Sequence, residues 1–162
     1  MRTCGNCAAC CEGWLHDESL DMFPGKACKH CTGEGCGIYD SRPEEPCRTF
    51  RCAWLKREED FDEDMRPDLC GAILIDDRPF KQWEVIRAIP VGVSVPESTL
   101  QRVTAFAREK GFSVTWAERR PNYEEHPRDV SVGTAGSEEF SIQMKWDVHP
   151  EDIWRYAPEG AT

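Results

Sequence analysis

No stretch of this chain stays apolar for anything like the ~20 residues that span a bilayer. No charged-then-apolar leader precedes Cys4. Both absences lead to the expectation of a cytosolic chain with no membrane partner. The first 54 residues are poor in Leu, Ile and Val; their larger apolar side chains are Trp14, Leu15, Leu20, Met22, Phe23, Ile38, Tyr39, Phe50 and Trp54. That is too little for a self-sufficient core, and small domains in this position are held by covalent or metal staples. An excess of positive charge is missing as well. Residues 1–57 balance eight basic against eight acidic side chains, 58–70 carry a net −6 and 71–162 a net −4. A chain at −10 overall repels phosphate backbones, so nucleic acid is not an expected partner. There is no Gly-rich nucleotide fingerprint, no nucleophilic serine elbow, no phosphate-binding loop and no internal repeat. His16, His126 and His149 stand alone. His30, between Cys28 and Cys31, is expected to pack against or hydrogen-bond its own loop rather than ligate.

What the chain has is cysteine: ten residues, nine of them between Cys4 and Cys52. In a reducing compartment such a cluster points to a metal before a disulfide framework. Two cysteines separated by two residues can turn both sulfurs toward one ion, so C-x-x-C is the common half of a tetrahedral site. The opening segment is C-x-x-C-x-x-C-C, and its adjacent Cys10 and Cys11 cannot both point the same way. Were residues 4–11 helical, Cys4, Cys7 and Cys11 would share a face and Cys10 would point aside. Such a segment feeds either two centres or one polynuclear centre.

The later cysteines lie in CKHCTGEGCGIYDSRPEEPCRTFRC, residues 28–52. With CGNCAACC before it, this run resembles the YkgJ-type cysteine-cluster family of zinc- or iron-chelating proteins. The family pattern opens C-x-x-C-x-x-C-C, continues C-x-H-L, and closes with C-x-I-Y-x-x-R-P and C-R-x-F-x-C. The resemblance implies Cys4, Cys7, Cys10, Cys11, Cys28, Cys36, Cys47 and Cys52 as metal ligands, with His30, Ile38, Tyr39, Arg42, Pro43, Arg48 and Phe50 as companions. Eight thiolates suit two four-ligand sites, and the crowded opening tilts the expectation from zinc toward iron–sulfur clusters. Arg42 and Arg48 are expected either to hydrogen-bond sulfur and loop carbonyls or to pair with Glu44 and Glu45 on the surface. The chain departs from the family at Cys31, which stands where the pattern is apolar; Cys31 either is a buried, inert thiol, the preferred expectation, or perturbs the site. Cys70 lies in no paired spacing and is a second spare. The resemblance covers about a third of the chain and supplies none of the additional region that family members methylating flagellin carry, so methyl transfer is not implied.

Three segments follow from composition: a Cys-rich metal-binding module over 1–57, an acidic linker over 58–70 whose acids read as a solvated linker or an exposed helix end, and a domain over 71–162. The spacing of Asp60, Asp62 and Asp64 fails as a calcium loop, because Met65 and Gly71 occupy the turn and twelfth positions. In the last segment, AILI (72–75) and WEVIRAIPV (83–91) read as strands. A helix follows, with Ser94 and Glu97 as a capping box, Pro96 at its start, Leu100, Val103, Phe106 and Ala107 on one face, and Gly111 as its stop. FSVTWAE (112–118), DVSVGT (129–134) and EFSIQMKWD (139–147) read as further strands. The expected fold is α+β: a small irregular metal-stabilised module, then a mostly antiparallel sheet with one main helix. The expected role is a metal-binding protein, structural or engaging a protein partner; the alternative is an iron–sulfur or thiol-dependent redox or modifying enzyme.

Overall fold

A computed structural model describes residues 2–14, 17–22, 26–119 and 130–147. Turns dominate as far as Arg51, as a Gly- and Pro-rich sequence dictates. Regular structure then begins with two one-turn helices, α1 (Ala53–Lys56) and α2 (Pro67–Cys70). Strand β1 (Ala72–Ile75) and strand β2 (Val85–Pro90) come next, buried along their whole length. Helix α3 (Glu97–Lys110), strands β3 (Ser113–Arg119) and β4 (Val130–Ala135), and helix α4 (Glu138–Asp147) complete the order. Among the described residues no helix is long and apolar enough to cross a membrane.

The four strands lie in the order β1-β2-β3-β4. The outer pairings are antiparallel, as expected, but β2 and β3 run parallel, with Val85 opposite Ser113 and Arg87 opposite Thr115. The sheet is therefore mixed. Helix α3 is the reason: parallel neighbours need a crossover of a dozen or more residues, and α3 supplies it. The end of α3 is the one expected, since Gly111 adopts φ 83°, the left-handed region open to glycine, and returns its N–H to Ala107. Its start differs. Pro96 is the N-cap residue and no side chain caps the helix, so the Ser94–Glu97 box does not form.

Residues 139–147, expected as a strand, belong to helix α4. Phe140, Ile142, Met144 and Trp146 alternate, but the pairs Phe140/Met144 and Ile142/Trp146 are also four apart, so the spacing fits a helix equally well. Phe140 and Met144 are buried against Val85, while Ile142 and Trp146 face outward. Ser137 decides the matter locally: its hydroxyl accepts the Phe140 N–H at 3.1 Å, and Glu138 and Glu139 occupy the first turn.

The stretch expected as a solvated linker, 58–70, is folded. Phe61, Met65 and Cys70 are buried in the main core, and Phe61 packs on Phe106 of α3 at 4.8 Å between centroids. Its acids lie along the basic side of α3, with Arg102 at 2.7 Å from Asp64 and Lys110 at 3.4 Å from Asp60. The acidic run is thus a partly neutralised flank of the helix. The buried cluster runs without a break from Ala9, Leu20, Met22 and Trp54 to the strand residues Ile73, Ile86 and Val114. Both ends of the chain's described core are one core.

Lys56 and Arg57, just past the last of the clustered cysteines, grip the carboxylate of Asp76 at the end of β1; Arg57 Nε lies 2.6 Å from it. Burial raises the Asp76 carboxyl, but the two cations outweigh it and hold the group below the usual carboxylate range. A lowered folded pKa gives stability that is present above the unfolded value of about 3.9 and lost as pH falls through the folded value. Asp76→Ala is expected to cost about 2 kcal/mol, discounted because both cations are partly solvated, and to lower Tm by roughly 4–8 °C. Thermal melts at pH 7 and pH 3 check this, the difference between wild type and variant shrinking at the lower pH.

Candidate metal centre

Backbone hydrogen bonds set the cysteines in place. The Cys7 N–H donates to the Cys4 carbonyl at 2.9 Å, closing the first turn, and a wide helical turn follows over Cys10–Trp14. Residues 4–11 are therefore not one helix, and the face shared by Cys4, Cys7 and Cys11 in that case is not formed. The Cys28 N–H donates to the Cys11 carbonyl at 2.9 Å, which sets the second cysteine run against the first. Cys36 lies on a short hairpin, Cys47 in the turn Glu44–Arg48, and Cys52 directly before α1. The backbone N–H of His30 donates to Cys28 Sγ at 3.5 Å.

One cavity of about 140 Å³ opens among these turns. Cys4, Cys7, Cys10, Cys11, Cys28, Cys36, Cys47 and Cys52 all line it, together with apolar walls from Leu20, Met22, Phe50 and Trp54. Cys31 and Cys70 do not. Cys70 is buried elsewhere, its Sγ 3.2 Å from the Ala72 carbonyl, and Cys31 is half-buried rather than fully enclosed. All ten thiols are free. Among the described residues, no three His, Cys, Asp or Glu side chains are gathered closely enough to hold a metal ion as they stand.

The thiols act on one another in two groups. Desolvation pushes Cys10 well above the ordinary thiol range, and the charges of Cys52, Cys7, Cys11 and Cys4 push the same way. Desolvation raises Cys11 from 9.0 to about 12, reinforced by Cys36, Cys31, Cys28 and Cys47. Burial takes Cys52 to about 12, with Cys4 and Cys7 adding to it, and raises Cys47, which feels Cys28 and Cys36. By these influences Cys10 groups with Cys4, Cys7 and Cys52, although it also feels Cys11, and Cys11 groups with Cys28, Cys31, Cys36 and Cys47. The peptide bond between Cys10 and Cys11 is where the sets meet.

Arg48 takes the first of the two roles expected of the arginines, bonding loop carbonyls. It donates to the carbonyls of Asp40 (2.7 Å) and Arg42 (3.1 Å), clasping the turn that carries Tyr39. Arg42 lines the cavity and lies over the Tyr39 ring at 3.8 Å. Its hydrogen bond to Tyr39 raises its pKa, and Cys4 and Cys36, one thiol from each set, add to that. Arg42 Nε is buried and without a hydrogen-bond partner among the described residues. Asp68 is a neighbour that spacing did not reveal: Arg66, at 2.7 and 3.1 Å, holds its carboxyl below the usual range, and the Cys7 thiol adds a little to that. Nothing distinguishes it from the other acids of its stretch in the sequence.

Comparison of the chain with protein-family models, characterised proteins and solved structures found no match to any of them.

Proposed function

We propose that this chain is a metal-binding protein in which Cys4, Cys7, Cys10, Cys11, Cys28, Cys36, Cys47 and Cys52 hold two four-thiolate centres, and that it belongs with the YkgJ-type proteins its cysteine pattern resembles. One observation carries the reading. The eight cysteines implied by that pattern line a single cavity, and the two left over do not. Eight thiols held close together by folding raise one another's pKa, and bound cations relieve that repulsion while the arginines offset the remaining charge. The unpartnered Arg42 Nε fits a group bearing acceptor sulfur.

The spread of the thiols around a cavity favours iron–sulfur clusters over single zinc ions. Four thiolates at about 2.3 Å from one zinc leave no space between them, whereas a cluster fills the gap with its own iron and sulfide. When bound, such a group supplies folding free energy and, if iron–sulfur, a one-electron couple. The chain's own residues exclude water with Leu20, Met22, Phe50 and Trp54 and clasp the loops through Arg48. A structural or partner-binding role is the leading reading, and a redox or modifying enzyme the second. Anaerobic purification separates them: brown protein with broad absorption near ~400 nm that bleaches on reduction supports iron and leaves redox chemistry open. Colourless protein carrying zinc supports the structural role alone.

Because desolvation holds these thiols in their protonated form at neutral pH, loading must expel protons. Metal affinity is expected to rise steeply from pH 6 to pH 8, about tenfold per pH unit for each thiol that loses a proton. Competition against a chromophoric chelator at several pH values measures it; a flat profile contradicts thiol ligation.

A further inference from the structure

Cys31 is the one clustered cysteine that the metal reading leaves without work, and its position is specific. Cys31 and Cys36 face each other across an antiparallel bridge. The bonds on either side, Gly37 N–H to the His30 carbonyl (2.8 Å) and Thr32 N–H to the Gly35 carbonyl (3.0 Å), identify it as a pair not itself hydrogen-bonded. In such pairs the Cα atoms are only about 4.5 Å apart with both side chains on the same face. That separation lies at the near end of the range a disulfide spans, roughly 4.4–6.8 Å. The turn between them, Thr32-Gly33-Glu34-Gly35, closes because Gly33 and Gly35 take φ of 84° and 148°. Its tip, residues 32–34, is exposed, and both cysteines are only half-buried, so small oxidants reach them. Cys36 lines the metal cavity and Cys31 does not.

We propose that Cys31 and Cys36 form a reversible disulfide on exposure to a peroxide, and that closing it withdraws Cys36 from the second metal centre. The inference rests, for its second half, on the reading of Cys36 as a ligand. Cys31, free of metal, attacks a peroxide oxygen; the O–O bond breaks, and the departing hydroxide leaves as water with the thiol proton. A sulfenic acid remains on Cys31. The Cys36 sulfur, as a thiolate, attacks it, the S–S bond forms, and hydroxide departs to be protonated by solvent. Two sulfurs are oxidised by two electrons in total, and one peroxide is reduced to two waters. A dithiol reductant reverses the link by exchange.

The test uses the full chain loaded with zinc, treated with hydrogen peroxide, and read by two independent measurements. A chromogenic chelator follows released metal. Cleavage after Lys29 and Tyr39 yields a peptide whose only cysteines are Cys31 and Cys36, in which the link appears as the loss of one hydrogen from each thiol. The expected result is that link, together with release of about half the bound zinc, and recovery of both free thiols with dithiothreitol. Cys31→Ala is expected to start with the same zinc content and release it at least tenfold more slowly. Release from Cys31→Ala at the wild-type rate, or peroxide-treated wild type in which both cysteines remain alkylatable, overturns the proposal. A chain that carries no metal from the outset and still forms the link defeats the metal reading and the withdrawal step, and leaves the thiol pair standing.

Discussion

Removing bound metal is expected to unfold the entire chain in one transition, not its first third alone. The apolar pattern of 71–162, taken by itself, leads to the opposite expectation of a domain that survives. The buried cluster explains the difference: Ala9, Leu20, Met22, Cys28, Cys52 and Trp54 are part of the same core as Ile73, Leu74, Ile86 and Val103. Trp54, two residues past Cys52, is 3% exposed, donates its indole N–H to the Asp62 carbonyl at 3.1 Å, and is covered by the Arg2 guanidinium at 4.7 Å. If the cysteine turns lose their ligand, that tryptophan loses its position and the sheet loses a wall. Structural zinc contributes roughly 10–16 kcal/mol in small metal-folded domains, against a usual total stability of about 5–15 kcal/mol. The loss is therefore as large as the stability it subtracts from. Circular dichroism and methyl NMR during chelation check this. Dispersed signals from residues 71–119 that outlast the metal, with an unchanged Tm, would mean the two parts fold separately.

The adjacent pair gives the second large effect. Cys10→Ser is expected to remove the centre formed with Cys4, Cys7 and Cys52, and Cys11→Ser the one formed with Cys28, Cys36 and Cys47. Each variant should retain about half the wild-type metal. Their stabilities should differ. Cys52 is 4% exposed and precedes the buried residues Ala53 and Trp54, so loss of the first centre disturbs the shared core directly. Loss of the second frees loops that reach the core through Cys28 and, less deeply, through Cys31, Cys47 and Phe50. We expect Cys10→Ser to lower Tm more than Cys11→Ser by at least about 5 °C, on the scale of a few kcal/mol for a chain of this size. Metal content per chain and a melt of each variant measure both statements. Either substitution emptying both centres would point to a single polynuclear group spanning the cavity.

The eight cysteines that the family resemblance implied are the ones that line the cavity, because a motif of local sequence also shapes the local turns. The residue that tunes Cys7 was not legible in the sequence, because Asp68 reaches it from a separate turn and carries no spacing signal. For the sheet, the strands over 72–75 and 85–90 announced themselves by their unbroken apolar runs, and α3 by its face and by Gly111. The parallel pairing of β2 and β3 is a property of topology that no single strand pattern encodes. Helix α4 was concealed by an alternation that also places Phe140 and Met144 four apart. The acids of 58–64 suggested solvent because a charge run is judged by its own composition, whereas Arg102 and Lys110, which meet it, lie about 40 to 50 residues further on.

The central claim is that the cavity's eight thiols hold metal, and elemental analysis tests it most directly. The full chain is purified anaerobically without added metal, and zinc, iron and acid-labile sulfide are measured against protein, alongside a count of alkylatable thiols. The account predicts about two zinc ions, or about eight irons with matching sulfide, per chain. Only Cys31 and Cys70 then react before the metal is removed, Cys70 slowly because it is buried. A chain free of zinc and iron, folded, with the cavity cysteines open to alkylation, would contradict it.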